Sequence, residues 1–287
     1  MSELYADLAP VYADFSVSPP GWADVYGEDQ FGVFSEIRLN MVNFVFRWVP
    51  PGQFLMGSSN GENGRYINEG PRHVVRVSRG FWIGETPVTQ NQWQEVMGVN
   101  PSRFKGGANP VEWVSWNDSL VFAGRLSSEL SGLECGLPTE VQWEYACRAG
   151  TNTAFHNDDF FHSSGRNRRA LDKVGTYREN SAGQTSPVRG KQPNLWGLYD
   201  MHGGVWEWCL DGLREYWKEV GADPLGAVTS GVDRAVRGGS WFDSDRDCRS
   251  ARRHAFEVDE RRITLGLRLV AGKGRVSEDS VSRQSLA

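Results

Sequence analysis

Apolar residues along this chain come in short runs broken by turn residues. Residues 43–49 and 53–57 read as strands on either side of Pro50-Pro51-Gly52, and their adjacency predicts a hairpin. Residues 73–77 and 81–84 repeat the pattern and are expected in the same sheet, while residues 58–72, polar, acidic and Gly-rich, read as a surface loop. Helical patterning begins at Thr89-Gln90-Asn91-Gln92, a capping box in which the Thr hydroxyl and the Gln side chain satisfy free amides, and Gly98 stops it. A second helix is predicted from Asn117 to Leu130, with Leu120, Val121, Ala123, Leu126 and Leu130 as its apolar stripe and Gly132 at its end. The same capping logic at Pro138-Thr139-Glu140-Val141-Gln142 opens a third, which carries Trp143, Tyr145 and Cys147 to a stop at Gly150. Residues 151–193 are irregular, and residues 194–208 return to aromatics spaced by glycines, as strand ends at a buried corner would.

These patterns divide the chain into an N-terminal extension (1–44) packed on the main body, a principal domain (45–271) and a polar, Ser-rich disordered tail (272–287). At 287 residues, with 39% hydrophobic and 23% charged, the chain can bury one large core or two modest ones. The 33 glycines and 12 tryptophans suit a loop-rich fold in which flat rings brace irregular backbone.

Charge narrows the partners. A net charge of −5 gives no footprint for a nucleic-acid backbone, and the basic clusters Arg166-Asn167-Arg168-Arg169 and Arg252-Arg253 read as solvated loops. No apolar run approaches the roughly 20 residues that span a bilayer. The N-terminus lacks a basic region followed by an apolar core, so no membrane insertion and a cytoplasmic location are expected. Cys135, Cys147, Cys209 and Cys248 form no Cys-x-x-Cys pair and read as reduced, buried thiols, Cys209 and Cys248 being the pair to test for a bridge. Histidines 73, 156, 162, 202 and 254 show no metal-ligand spacing.

The most informative stretch is Arg237-Gly238-Gly239-Ser240-Trp241 and the residues after it, where a buried Gly-Gly crossing is expected beneath an irregular surface. Taken with residues 54–58, 85–89, 110–116, 137–146 and 194–208, it resembles the formylglycine-generating-enzyme (sulfatase-modifying factor) family over residues 45–270. The resemblance implies an α+β architecture, an elaborated C-type lectin fold with little regular secondary structure. Catalytic members hold copper between two cysteines five positions apart; here the first position falls on Asp243 and the second on Cys248, so copper is not expected. A related branch of iron enzymes draws its metal histidines largely from a helical domain not found in this sequence. Family members often hold structural calcium, for which Asp172, Asn180 and Glu207 are the candidate donors, although Gly204 replaces an Asn expected in one site.

The same resemblance extends to variable proteins of diversity-generating retroelements, which display altered side chains on a fixed backbone. On that reading Phe242, Asp243, Ser244, Asp245, Arg246, His254, Phe256 and Glu257 contact a protein or cell-surface ligand, and Arg237, Gly238, Gly239, Trp241, Cys248 and Gly266 form the framework. Two classes of function follow: a non-catalytic binding and display protein, which the missing sulfur favours, and a diverged oxidoreductase.

Overall fold

The computed structural model describes residues 17–157, 168–216 and 221–272. In chain order the elements are β1 (Val25–Asp29), β2 (Gly32–Leu39), β3 (Val42–Val49), β4 (Gly52–Met56), β5 (His73–Val77), β6 (Phe81–Gly84), α1 (Gln90–Met97) and α2 (Trp116–Glu129). There follow β7 (Cys135–Gly136), α3 (Glu140–Arg148), α4 (Arg168–Val174), β8 (Gly175–Thr176), β9 (His202–Gly203) and β10 (Trp206–Gly212). The last are β11 (Arg234–Arg237), β12 (Arg253–Phe256), β13 (Leu265–Gly266) and β14 (Val270–Ala271). Among the described residues a six-stranded sheet runs β1-β2-β3-β6-β14-β7 and a four-stranded sheet runs β12-β11-β10-β13, with β4-β5 and β8-β9 as separate pairs.

The hairpin expected across residues 43–57 does not form. β3 pairs with β2 and β6, while β4 pairs with β5. The physical reason lies in Pro50-Pro51: a tight hairpin turn needs positive φ at its centre, and proline fixes φ near −65°. The chain therefore leaves one sheet at Val49 and enters another at Gly52. β5 and β6, expected together, lie in different sheets because β5 pairs with the diverted β4 while β6 pairs with β3. Of the N-terminal 44 residues, those forming β1 and β2 supply the first two strands of the six-stranded sheet, with β2 in register against β3 from Phe34↔Arg47 to Leu39↔Val42.

All three predicted helices are present. Thr89 caps α1 and Thr139 caps α3, each with the reciprocal Gln bond of a capping box. α2 starts one residue earlier than predicted, because Ser115 and Asp118 make the box there. Its buried face is Trp116, Ser119, Phe122, Ala123 and Leu126, whereas Val121, assigned to the stripe from sequence, is 48% exposed. That face packs with Trp93, Trp82, Trp206 and Trp208 in the larger core; a second core gathers β4, β5 and α3 around Trp143 and Met56. No described helix is long and apolar enough to cross a membrane. The tail from residue 273, His162, and Arg166 and Asn167 of the basic cluster lie outside the described residues.

Candidate functional site

β11 delivers Arg237 to the centre of the molecule. Its guanidinium is fully buried, ion-paired with Glu144 and 3.3 Å from a Glu140 oxygen on α3, and it donates to the carbonyls of Ser250 (3.1 Å) and Arg252. Gly238 and Gly239 follow at φ 99° and 74°, conformations that favour glycine. A Cβ on Gly239 would stand 2.8 Å from both the Asp247 carbonyl oxygen and Cys248 Sγ. The crossing expected from sequence is therefore a sterically enforced one.

After it the chain folds back on itself. Asp243 accepts from the Trp206 indole (Nε1–Oδ2 2.8 Å) and from the Ser240 hydroxyl, and burial raises its carboxyl above the ordinary range. Ser244 donates to Asp247 (2.9 Å) at the start of a 3-10 turn, Asp245–Cys248. Trp241 donates its indole N–H to the Ile263 carbonyl (2.9 Å). The fully buried side chain of Arg249 ties this segment to the polar loop 58–72: it bonds Glu69 at 2.8 and 2.6 Å, Glu62 at 2.7 Å and the Gly64 carbonyl at 2.9 Å. Tyr66 of that loop lies between the guanidiniums of Arg246 and Arg252, 3.8 and 3.9 Å from its ring centre, and donates to Asp247 (3.0 Å).

The eight residues assigned to ligand contact divide by exposure. Phe242, Arg246, His254 and Glu257 are exposed; Asp243, Ser244 and Phe256 are half-buried. Asp245 is buried, because the 3-10 turn points it inward, so it does not belong to an exposed surface. His254 and Phe256 project from the same side of edge strand β12, 4.7 Å apart, and Arg262 covers Phe256 at 4.6 Å. The six framework residues are all buried, Gly266 because a Cβ there would meet the Val111 carbonyl at 2.4 Å. Sequence reasoning missed Tyr66, Arg178 and Trp113. Arg178 lies over the Phe242 ring at 5.4 Å and donates to its carbonyl. Trp113 sits inside an apolar motif that looks like pure core, and its exposure shows only in the backbone.

Behind the loop, His202 is fully buried with Nδ1 2.8 Å from the Cys248 carbonyl and Nε2 3.2 Å from the His156 amide nitrogen. The carbonyl needs a donor and the amide an acceptor, so His202 is the neutral Nδ1–H tautomer. Burial pushes its pKa down to about 4. The four cysteines are free and buried, so Cys209 and Cys248 form no bridge.

The donor set does not suit copper. Cys248 is buried with its thiol held protonated, first by burial and then by the charges of Asp243, Asp247 and Asp245, and the residue at the partner position is a carboxylate already engaged by Trp206 and Ser240. The calcium candidates do not converge either. Both Glu207 oxygens bond Arg268 at 2.9 Å, and one also accepts from Trp143, which removes it as a cation ligand. Asp172 and Asn180 are exposed neighbours, their side chains 3.5 Å apart, with Tyr177 donating to Asp172.

Residues 35–273 match the Sulfatase-modifying factor enzyme 1-like domain. The chain belongs to that family. Among curated family relatives, the formylglycine-generating enzyme of Streptomyces coelicolor is 29% identical over 281 residues, covering 77% of this chain and 87% of that protein. The mouse formylglycine-generating enzyme is 30% identical over 209 residues, covering 69% of this chain and 53% of that one. Of solved structures with the family fold, Treponema denticola variable protein 1 superposes with a TM-score of 0.73 at 27% identity, covering 83% of this chain and 98% of its own. PvdO from Pseudomonas aeruginosa gives 0.70 at 25%, covering 89% and 99%. The fold is thus the formylglycine-generating-enzyme-like C-type lectin fold, and proteins named as enzymes and one named as a variable protein both resemble this chain.

Proposed function

We propose that this chain is a non-catalytic member that binds a protein or cell-surface ligand through the surface built after β11, in the manner of a retroelement variable protein. The observation that carries the reading is Asp243. Its carboxylate occupies the place of a copper thiol and is spent on Trp206 and Ser240, while the remaining sulfur, Cys248, is buried and protonated. Two-thiolate chemistry has no second sulfur, whereas exposed Phe242, Arg246 and His254 stand on a framework held from inside. The net charge of −5 argues against a nucleic-acid partner.

Incubating the purified protein with Cu(I), oxygen and a cysteine-bearing peptide tests it. The expected result is unchanged peptide; conversion of the cysteine to an aldehyde would overturn the reading in favour of the oxidoreductase that the 29–30% identical relatives exemplify. At the gene, a degenerate repeat differing from codons 237–270 only at adenines, beside a reverse-transcriptase gene, is expected for a variable protein.

A further inference from the structure

Trp113 holds φ at 66°, a left-handed conformation that a bulky aromatic residue rarely adopts, and its side chain is 46% exposed. Its amide donates to the Arg262 carbonyl (2.9 Å), while the preceding residue, Glu112, is buried and accepts from the Phe104 amide (2.8 Å). The reversal of the backbone between a buried carboxylate and an exposed indole is the feature the strain maintains. Trp241 holds the next carbonyl, Ile263, and packs edge-on with both Phe104 (5.3 Å) and the 57% exposed Phe242 (5.5 Å). Trp113 and Trp241 thereby bond consecutive carbonyls of one chain segment, and the aromatic patch on that segment consists of the exposed rings of Trp113 and of Phe242, which packs on Trp241.

The border of that patch is cationic. Arg103 and Lys105, both exposed, flank Phe104, and exposed Arg178 covers Phe242. Lys105 and Arg178 bond main-chain carbonyls, and none of the three makes an ion pair with a described carboxylate. Arg103 and Lys105 also act on the carboxyl of Glu112, which is buried and raised above its ordinary range by that burial, so the three exposed cations outnumber the carboxylate they face and form an electrostatic complement to an acidic ligand. Exposed aromatic anchors within a polar rim have the composition of a protein-binding hot spot.

We propose that this patch binds an acidic segment of a partner protein that carries an apolar or aromatic anchor, with Trp113 as a fixed contact beside the display residues. The inference rests on the binding function proposed above and specifies its ligand class. Trp113 lies outside the segment after β11, so it supplies a contact that does not change when that segment does.

A peptide phage library selected on the immobilised full-length protein, with Trp113→Asn as the comparison, tests it. Asn tolerates the left-handed conformation, so this variant should melt no lower than the parent. Enriched peptides should combine Asp or Glu with an aromatic residue, and a representative peptide should bind about tenfold more weakly to Trp113→Asn. Its affinity should fall further in Lys105→Gln and Arg178→Gln and in raised salt. Absence of enrichment, enrichment of basic peptides, equal binding to Trp113→Asn, or binding confined to a glycan array would overturn it. Peptides indifferent to Trp113→Asn but lost in Phe256→Ala would remove this inference and leave the display surface standing; indifference to both would sink both.

Discussion

Arg237 and Glu144 meet as an ion pair in which neither side chain is exposed to solvent at all. Burial alone would lift the Glu144 carboxyl, but the Arg237 and Arg148 guanidiniums hold it below the ordinary range, with the Gly57 amide adding a bond at 2.8 Å. Arg237→Met removes one of these cations and leaves a buried charge undercompensated, which should cost roughly 3–5 kcal/mol. The double variant with Glu144→Gln should recover part of that loss. Urea denaturation of the three proteins, read at the midpoint, checks both statements.

Gly239 and Gly204 share nearly the same φ, 74° and 77°, but only Gly239 is hemmed in, since nothing lies within 4 Å of a Cβ built on Gly204. Gly204→Ala should therefore cost only the backbone strain, about 1–2 kcal/mol. Gly239→Ala should cost clearly more, because the methyl would also strike the Asp247 carbonyl. Thermal unfolding of the pair isolates the steric part.

Asp243 should prove structural. Asp243→Ala leaves the Trp206 indole N–H without its acceptor, for a loss of about 1–3 kcal/mol, visible as a lower melting temperature and altered tryptophan emission. Asp243→Cys supplies a second thiol yet should still leave a cysteine peptide unoxidised by mass spectrometry, since Cys248 stays buried.

His202 sets a pH dependence. Its folded pKa of about 4 lies below the ordinary 6.5, so the unfolded chain takes up the proton first. Its contribution is present above pH 6.5 and is lost as pH falls towards 4, by roughly 3 kcal/mol. Buried His156 adds in the same direction. Asp200 and Asp211, raised by burial to about 6, act in the opposite sense between about pH 6 and their ordinary 3.8. Stability measured from pH 7 to 4 should therefore fall less steeply in His202→Gln than in the parent; parallel curves would show that His202 is not the group responsible.

Local signals carried much of this architecture. Two Thr-x-x-Gln boxes mark α1 and α3 because capping is a contact between residues three apart, and Gly98 at φ 78° closes α1 as predicted. Where the decisive partner is distant, sequence is silent. Glu207 reads as a free oxygen donor until Arg268 closes on it, and Asp245 reads as a surface acid until the 3-10 turn carries it inward. Val121 joins an apparent stripe that Trp116, Ser119, Ala123 and Leu126 in fact define at helical spacing. Trp113 shows the reverse case, an exposed contact concealed in a motif of core residues.

Several arginines around the site grip oxygens that every amino acid possesses. Arg237 reaches the carbonyls of residues 250 and 252, Arg249 those of 64 and 246, and Arg178 that of 242. A main-chain oxygen persists whatever side chain grows from the same residue. Exchanging Phe242, or the outward half of Arg246, leaves these clasps intact, so the outer face can be rewritten while the chain beneath keeps its path.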